Sequence, residues 1–288
     1  MFNFSLFLYG FIIAGIYALI ALGFNLAVGT LKVLNVAHGD FVMIGAYITY
    51  WLFTLYGIDP LLSSLFSSCI LFVLGVLISK FIIVPLNSRC EDIEQLLSSS
   101  VLIFFGLSIL LQNIAFLLWS ANYRGYTYLD TPIILFGISV ASIRLIVAVV
   151  AYLATTLFHL FLLKTRVGMS VRAVSQNKER ALLIGINVDR LYLIVLGISA
   201  ALAGMAGSLI SAIYAIYPAI GGAYLIRGMC IAALGGLGNM KGAIFSSIIL
   251  GLSESFVVFY IGSGLQDLIA YSLLVLILLL KPSGIFAR

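Results

Sequence analysis

Two charged residues, Arg227 and Glu254, stand inside apolar runs of the sequence. A charge in lipid is costly, so such residues usually face another helix or a water-filled cavity. The two side chains could form an ion pair between neighbouring segments, and Glu254 could instead line a solute pathway or form only a hydrogen bond between helices. Intramembrane carboxylates also serve secondary transporters as proton or sodium sites. Glu254 is therefore the residue on which a proton-coupled mechanism would depend.

A second polar group, Asn35, His38 and Asp40, follows the first long apolar run in the stretch LNVAHGD. A histidine and an aspartate two residues apart could belong to a metal site or an acid–base pair. A protein metal site needs at least three ligands, and no third ligand stands nearby. We therefore predict no metal, no catalytic residue and no cofactor bound by this chain. The group is interpreted as a structural turn, with gating of a pathway as the alternative.

The elements that must position these residues are membrane helices. The 288 residues are 63% hydrophobic and 9% charged, whereas soluble domains are about 45–50% apolar. A spanning helix needs roughly 20 mostly apolar residues, because lipid offers no partners to backbone groups. The runs that approach or exceed this length are Phe4–Val28, Phe41–Tyr56, Leu61–Leu86, Leu96–Trp119, Ile133–Leu163, Leu191–Tyr217, Ala243–Ile261 and Leu265–Leu280.

A shorter apolar run, Ala223–Leu237, is interrupted by Arg227 and by glycines. We interpret it as a broken or re-entrant element. The predicted fold class is all-α: a polytopic membrane helical bundle with about eight spans plus this element. Residues 1–288 are predicted to form a single transmembrane domain.

Basic residues are divided unevenly between alternate loops. Most of the lysines and arginines, from Lys32 to Arg288, fall on one side, and only Arg124, Arg144 and Arg227 fall on or near the other. The positive-inside rule makes the first side cytoplasmic. The chain is therefore expected to be a multi-pass protein surrounded by membrane lipid, with its C-terminus in the cytoplasm.

The densest group of charges lies in a loop, residues 164–190, that the same rule places in the cytoplasm. Connections between bundle helices usually have about 2–8 residues, so this loop is long for a connector. Gly168 is expected to break the preceding helix, Ser170 to cap a new amphipathic helix, and Gly185 to end it. Such a helix either lies among anionic lipid headgroups or inserts into a groove on a soluble partner.

Small residues recur four positions apart in the stretch ISAALAGMAGSLISA, at Ala200, Gly204 and Ser208. Small side chains let helix backbones approach closely, and this packing drives helix association in lipid. We predict that the segment is a helix contact and that it does not bind a ligand.

Several motifs, in a fixed order, resemble those of a known family. The loop contains GxxxRAxxxNxxxAxxxGI, present as Gly168, Arg172, Ala173, Asn177, Ala181, Gly185 and Ile186. The stretches GIYALIALGFNLAVGTLKVLNVAHGDF, YPAIGGAYLIRGMCIAALGGLGNMKGA and KPSGIF agree with it. Together they cover nearly the whole chain and resemble the permeases of branched-chain amino acid ABC importers, the LivH type. The loop departs from the general ABC-permease signature EAAxxxG, because Arg172-Ala173-Val174 stands where Glu-Ala-Ala is usual.

The resemblance implies the transmembrane permease subunit of an ATP-driven importer for leucine, isoleucine and valine in a bacterial inner membrane. It also implies that the 164–190 loop couples the permease to ATPases. The implied partners are a second homologous permease in a heterodimer, two cytoplasmic ATPases that use ATP and Mg, and an extracytoplasmic amino-acid-binding protein. No nucleic acid is expected.

The chain itself is not expected to be an enzyme. Its nearest approach to a phosphate-binding loop, GGLGNMKG at 235–242, lacks the second glycine and the final Ser or Thr of the Walker pattern. The main alternative function keeps the same machinery and imports urea or another small amide or amino acid. A second alternative is a proton-coupled secondary transporter that uses Glu254 and His38.

Overall fold

A computed structural model describes residues 4–90, 92–135 and 137–286, most of which are helical. Arg288, which the charge pattern assigns to the cytoplasmic side, lies outside the described residues. The helices are α1 (Phe4–Leu31), α2 (His38–Tyr56), α3 (Pro60–Ile78) continued by a π-helical turn (Ser79–Ile83) into α4 (Val84–Arg89), α5 (Ile93–Trp119), α6 (Ser142–Lys164), α7 (Arg166–Gln176), α8 (Lys178–Leu183), α9 (Val188–Ser211), α10 (Ile220–Gly235), α11 (Met240–Tyr260) and α12 (Gln266–Leu280), which follows a 3-10 turn (Ser263–Leu265). The predicted all-α class is confirmed.

Seven helical segments of the described residues are long and apolar enough to cross a membrane: α1, Pro60–Arg89, α5, α6, α9, α11 and Ser263–Leu280. The other predicted span, Phe41–Tyr56, forms the 19-residue α2, whose polar first turn lowers its hydropathy. The predicted short element, Ala223–Leu237, forms the 16-residue α10.

The span predicted from Ile133 is wrong at its beginning. Residues Pro132–Leu135 (β1) and Ile138–Ala141 (β2) form an antiparallel hairpin that precedes α6. Gly137 sits in its turn at φ +81°, a conformation that favours glycine because it has no Cβ. The helix therefore begins only at Ser142, and the apolar hairpin residues had extended the run.

Helix α1 lies at the centre of the bundle. In its most apolar window 89% of residues are buried, against 17% in α5 and 11% in the α12 segment. It packs against α6, α9, α10 and α11. The two helices α5 and α12 therefore form an outer layer, available to lipid or to another subunit.

The two ends of the bundle differ in composition. At one end the start of α1 meets the end of α11, where Ser255 Oγ donates to the Leu6 carbonyl at 2.8 Å. The strands β1 and β2 lie close to this end, which we call the hairpin end. At the other end α1 meets the α10–α11 turn, where Gly238 N donates to Asn25 Oδ1 at 3.1 Å. This end, which carries α7 and α8, is the basic end.

The chain turns back into the bundle between α1 and α2. Lys32 adopts φ +55°, and α2 then begins against the middle of α1, where His38 Nε2 lies 3.0 Å from the Ile20 carbonyl oxygen. The first turn of α10 packs against this point, since a methyl group at Gly221 would lie 2.8 Å from the Gly39 carbonyl oxygen. Two helices thus begin inside the bundle and close to each other.

Candidate translocation and coupling sites

Arg227 and Glu254 form an ion pair inside the bundle, with 2.9 Å between Arg227 Nε and Glu254 Oε1. The Glu254 carboxylate also accepts hydrogen bonds from the Tyr17 hydroxyl at 2.5 Å and from Gln266 Nε2 at 2.8 Å. On its other side Arg227 Nη2 lies 2.5 Å from Asp267 Oδ1. These five residues, which we call the ion-pair cluster, join α1, α10, α11 and α12.

The chemistry of the ion-pair cluster follows from this pairing. Glu254 is only 1% exposed, and a buried charge persists only where a partner and hydrogen bonds replace water. The Arg227 guanidinium meets two carboxylates and lies 5.8 Å and 5.4 Å from the ring centres of Tyr17 and Tyr224. The cluster is thus a junction between four helices in which both oxygens of the Glu254 carboxylate accept hydrogen bonds.

A cavity of about 760 Å³ opens beside the cluster at the hairpin end. Its larger polar lining residues are Tyr9, Asp130, Arg144, Tyr214, Glu254 and Gln266. Of the four residues predicted to line or gate a pathway, Glu254 alone is among the residues that line this cavity. The volume is of the size that encloses small organic ligands.

The predicted candidates Asn35 and His38 lie elsewhere, at the point where α2 begins. Both are completely buried, and His38 Nε2 contacts the backbone of α1 as described above. Neither polar atom of the Asn35 side chain has a hydrogen-bond partner among the described residues. Asp40, in the same turn, accepts from Gln112 Nε2 at 3.1 Å. This region is a packed junction of α1, α2, α5 and α10.

The predicted packing residues of α9 lie where helices come closest. Ser208 Oγ lies 3.3 Å from the Gly45 carbonyl oxygen of α2, and a methyl group at Gly45 would lie 2.6 Å from the Gly204 Cα atom. A methyl group at Gly75 of α3 would lie 2.9 Å from Ala200 Cβ. The small residues therefore occupy contacts of α9 with both α2 and α3.

The predicted coupling loop, residues 164–190, forms two short helices at the basic end. Helix α7 begins after Thr165, whose Oγ1 accepts from Gly168 N at 3.1 Å. The predicted cap, Ser170, lies within α7 and donates to the Arg166 carbonyl at 3.1 Å. Thr165 is therefore the cap, because α6 ends before the glycine that was expected to break it.

The corner between α6 and α7 depends on Gly168 and Arg172. A side chain at Gly168 would overlap the Leu162 carbonyl group, so α7 can fold tightly against the end of α6 only with glycine here. Arg172 Nη1 donates to the same Leu162 carbonyl, which is free because it lies in the last turn of α6. Two residues of the family motif thus fix the orientation of α7 relative to a spanning helix.

Asn177 divides the loop into its two helices. Its extended backbone ends α7, and its Oδ1 accepts from Arg180 N at 2.9 Å, which caps α8. Gly185 then adopts φ +83° and ends the element. Lys178 Nζ donates to Asn87 Oδ1 at 2.9 Å, so α8 is also attached to α4.

The alanines of the motif do not face outward. Ala181 is 2% exposed and Ala173 is half-buried. The exposed part is the following turn, with exposed fractions of 51% at Leu182, 87% at Leu183 and 73% at Ile184. We call these three residues the loop tip. Large apolar side chains exposed in a loop are typical of a contact with another protein or with the membrane.

Sequence reasoning missed several residues of both sites. Tyr17 lies in an uncharged helix, and Gln266 and Asp267 follow a short turn after α11, so only the folded bundle brings them to Glu254. The loop tip carried a sequence signal, because three large apolar residues precede Gly185 within the most charged loop.

The described residues contain seven helices that are long and apolar enough to cross a membrane, with an ion-pair cluster in the interior and a cavity at one end, and this architecture is that of a multi-pass membrane protein. The chain belongs to the family described as "Branched-chain amino acid transport system / permease component", which it matches over residues 6–280. This is a family of transport permeases, and not of enzymes.

Individual relatives agree with this assignment. The high-affinity branched-chain amino acid transport system permease protein BraD of Pseudomonas aeruginosa is 31% identical over 97% of this chain and 94% of its own length. LivH of Escherichia coli K12 is 29% identical with the same coverage. A probable LivH of Methanocaldococcus jannaschii is 30% identical over 95% of this chain and 89% of its own.

Proposed function

We propose that this chain is the permease subunit of an ATP-driven importer that carries leucine, isoleucine and valine across a bacterial inner membrane. The observation that carries the proposal is the family match over residues 6–280. Relatives named for branched-chain amino acid transport cover nearly the whole chain. Their names supply the substrate class.

In the proposed assembly this chain pairs with a second permease of similar fold. Two cytoplasmic ATPases bind below the pair and hydrolyse ATP with Mg, and an extracytoplasmic binding protein delivers the amino acid. The basic end faces the cytoplasm, because Lys32, Arg89, Lys241 and Lys281 join the charges of α7 and α8 there. The C-terminus is then cytoplasmic, and the cavity at the hairpin end faces the binding protein.

The contacts of the loop suggest how movement of an ATPase reaches the cavity. Helices α7 and α8 connect α6 to α9 directly in the chain, and Arg172 ties α7 to the last turn of α6. Helix α9 packs against α1, α2 and α3. A displacement of the loop tip therefore moves α6 and α9 together, and this motion switches the cavity between the two sides of the membrane.

The main alternative, import of urea or another small amide or amino acid by the same machinery, is tested by substrate competition. A proton-coupled transporter is disfavoured by the ion-pair cluster, since a carboxylate that carries protons must be able to lose its partners. Glu254 has three hydrogen-bonding partners among the described residues, and one of them is the paired cation Arg227.

The test is uptake by proteoliposomes that contain the chain co-purified with its partner subunits. We expect L-leucine uptake that requires ATP on the side of the basic end and persists when an ionophore collapses the proton gradient. Excess isoleucine or valine should compete with leucine and excess urea should not. Uptake that follows the proton gradient without ATP would overturn the proposal.

The Glu254→Gln variant sharpens this test. We expect a lower uptake rate, because the Arg227 charge loses its buried partner, with no change in the pH profile of uptake. A shifted pH profile would instead make Glu254 a proton carrier.

A further inference from the structure

The cavity at the hairpin end contains an arginine that forms no ion pair with any of the described residues. Arg144 lies in the first turn of α6, with its guanidinium 5.4 Å and 5.8 Å from the ring centres of Tyr9 and Tyr214. Both ion pairs found among the described residues belong to Arg227, so no described carboxylate lies within ion-pair distance of Arg144. A guanidinium held between aromatic rings at a cavity wall is positioned to bind a carboxylate.

An aspartate stands beside this arginine on the same wall. Asp130 and Arg144 both line the large cavity and an adjoining smaller one. The backbone on both sides of Asp130 is attached to the start of α6, because Ser142 Oγ donates to the Leu129 carbonyl at 2.7 Å and Ser142 N donates to the Thr131 carbonyl at 3.0 Å. Asp130 forms no ion pair with any described residue. One positive and one negative group are thus held as neighbours, and neither charge neutralises the other.

Another part of the cavity wall is apolar. Side chains from α1 and α11 form it: Leu6, Ile12, Ile13, Val258 and Phe259. The other carboxylate at the cavity, Glu254, is already compensated by Arg227. A ligand that fits this lining has one carboxylate, one ammonium group and a hydrocarbon side chain.

We infer that the cavity is a binding site for the zwitterion of an apolar α-amino acid, with its carboxylate on Arg144, its ammonium group on Asp130 and its side chain against the α1 and α11 wall. The inference rests on the proposed function and adds to it a site in this chain that receives the substrate. The permease then contributes to the choice of substrate, because a ligand that lacks either charge loses the charge-assisted contact with Arg144 or with Asp130.

The test measures ligand binding by the permease complex in lipid nanodiscs, without the binding protein, through stabilisation against thermal unfolding. The probes are L-leucine, 4-methylpentanoate, which lacks the ammonium group, and 3-methylbutylamine, which lacks the carboxylate. We expect leucine to bind at least about tenfold more tightly than either analogue, since each lost charge-assisted hydrogen bond is worth that much.

The variants are Arg144→Gln and Asp130→Asn, each of which removes one charge and keeps a polar side chain. Each should weaken leucine binding about tenfold or more, and Arg144→Gln should also abolish binding of 4-methylpentanoate. Arg144→Lys should restore part of the affinity. The matched control is Arg124→Gln, because Arg124 also packs against aromatic rings, those of Tyr50 and Trp51, but does not line the cavity.

The outcomes separate this inference from the proposed function. Equal leucine affinity in wild type, Arg144→Gln and Asp130→Asn would overturn the inference, as would an absence of leucine binding in a complex that imports leucine. Charge-dependent leucine binding in a complex that fails to import leucine would support the site and overturn the proposed transport function.

Discussion

The ion-pair cluster and the 164–190 loop place their side chains in opposite environments. In the cluster, Arg227 and Glu254 lie inside the bundle and are paired with each other, and Glu254 is 1% exposed. In the loop, apolar groups lie outside, and Leu183 is 87% exposed. Each arrangement is costly alone, since lipid does not solvate charges and water does not solvate hydrocarbon.

This difference shows which of the two regions already has, within this chain, the contacts that its side chains require. In the cluster Arg227 is paired with both Glu254 and Asp267, and the cluster links α1, α10, α11 and α12 within this chain. The loop tip buries little of its apolar surface against this chain, although α7 and α8 beneath it are capped and anchored. We therefore expect substitutions in the cluster to affect folding and substitutions at the loop tip to affect assembly and coupling.

The largest effect is expected from Arg227→Ala. Removing one partner of a buried ion pair leaves the other charge uncompensated and costs about 3–5 kcal/mol. The unfolding temperature and the yield of the purified permease should both fall. Arg124→Ala is the control, because Arg124 forms no ion pair among the described residues and should cause a smaller loss.

A double variant shows whether the charge or the packing matters. Replacing the pair by apolar residues, as Arg227→Met with Glu254→Leu, removes both buried charges and should recover much of the lost stability. If the double variant is as unstable as Arg227→Ala, the cluster stabilises the bundle by shape and not by charge compensation.

The next effect is expected from Leu183→Asp at the loop tip. Exposed substitutions usually change stability by less than about 0.5 kcal/mol, so the isolated permease should unfold as wild type does. A carboxylate buried in an apolar interface is strongly unfavourable, so ATPase co-purification and ATP-driven uptake should fall by roughly tenfold or more. Leu183→Met, which keeps volume and polarity, is the control.

Leu183→Asp tests docking of the ATPase better than substitutions of the motif alanines do. Ala181 is only 2% exposed, so a bulky charged residue there disturbs the packing of α8 within the permease. A loss of uptake in such a variant follows either from this disturbed packing or from a lost contact with the ATPase, and an uptake assay does not distinguish the two. Normal uptake by Leu183→Asp would show that the ATPase contacts another surface.

Span positions were predictable from the sequence because length and hydropathy are local properties of the chain. Glu254 and Arg227 were also identifiable, since charges inside apolar runs must find partners. Their other partners were not: Tyr17 is an ordinary residue of an apolar helix, and its distance from Glu254 depends on how α1 crosses α11. The hairpin before α6 was hidden because its residues are as apolar as a span.

Within the loop, the sequence did not show at which residue α6 ends. Thr165 and Ser170 are both able to cap a helix, and which one does so depends on where the preceding helix stops. The sequence motif contains Gly168, but that glycine serves a close contact with Leu162 and does not mark a break. The cavity residues Arg144 and Asp130 were inaccessible to such reasoning, because the hairpin separates them in sequence and the Ser142 hydrogen bonds bring them together.

The smallest effect is expected from Asn177→Ala, which removes the cap of α8 without touching the loop tip. Loss of an N-cap costs about 1 kcal/mol, and this should raise amide hydrogen exchange in residues 178–183 roughly fivefold. The global unfolding temperature should not change, because α8 contributes little to the core. Uptake should fall less than in Leu183→Asp, since the apolar contact persists on a less rigid support. Asn177→Asp retains the capping oxygen, so its amides should exchange as in wild type. Unchanged exchange in Asn177→Ala would mean that α8 is held by the Lys178 contact with α4 instead.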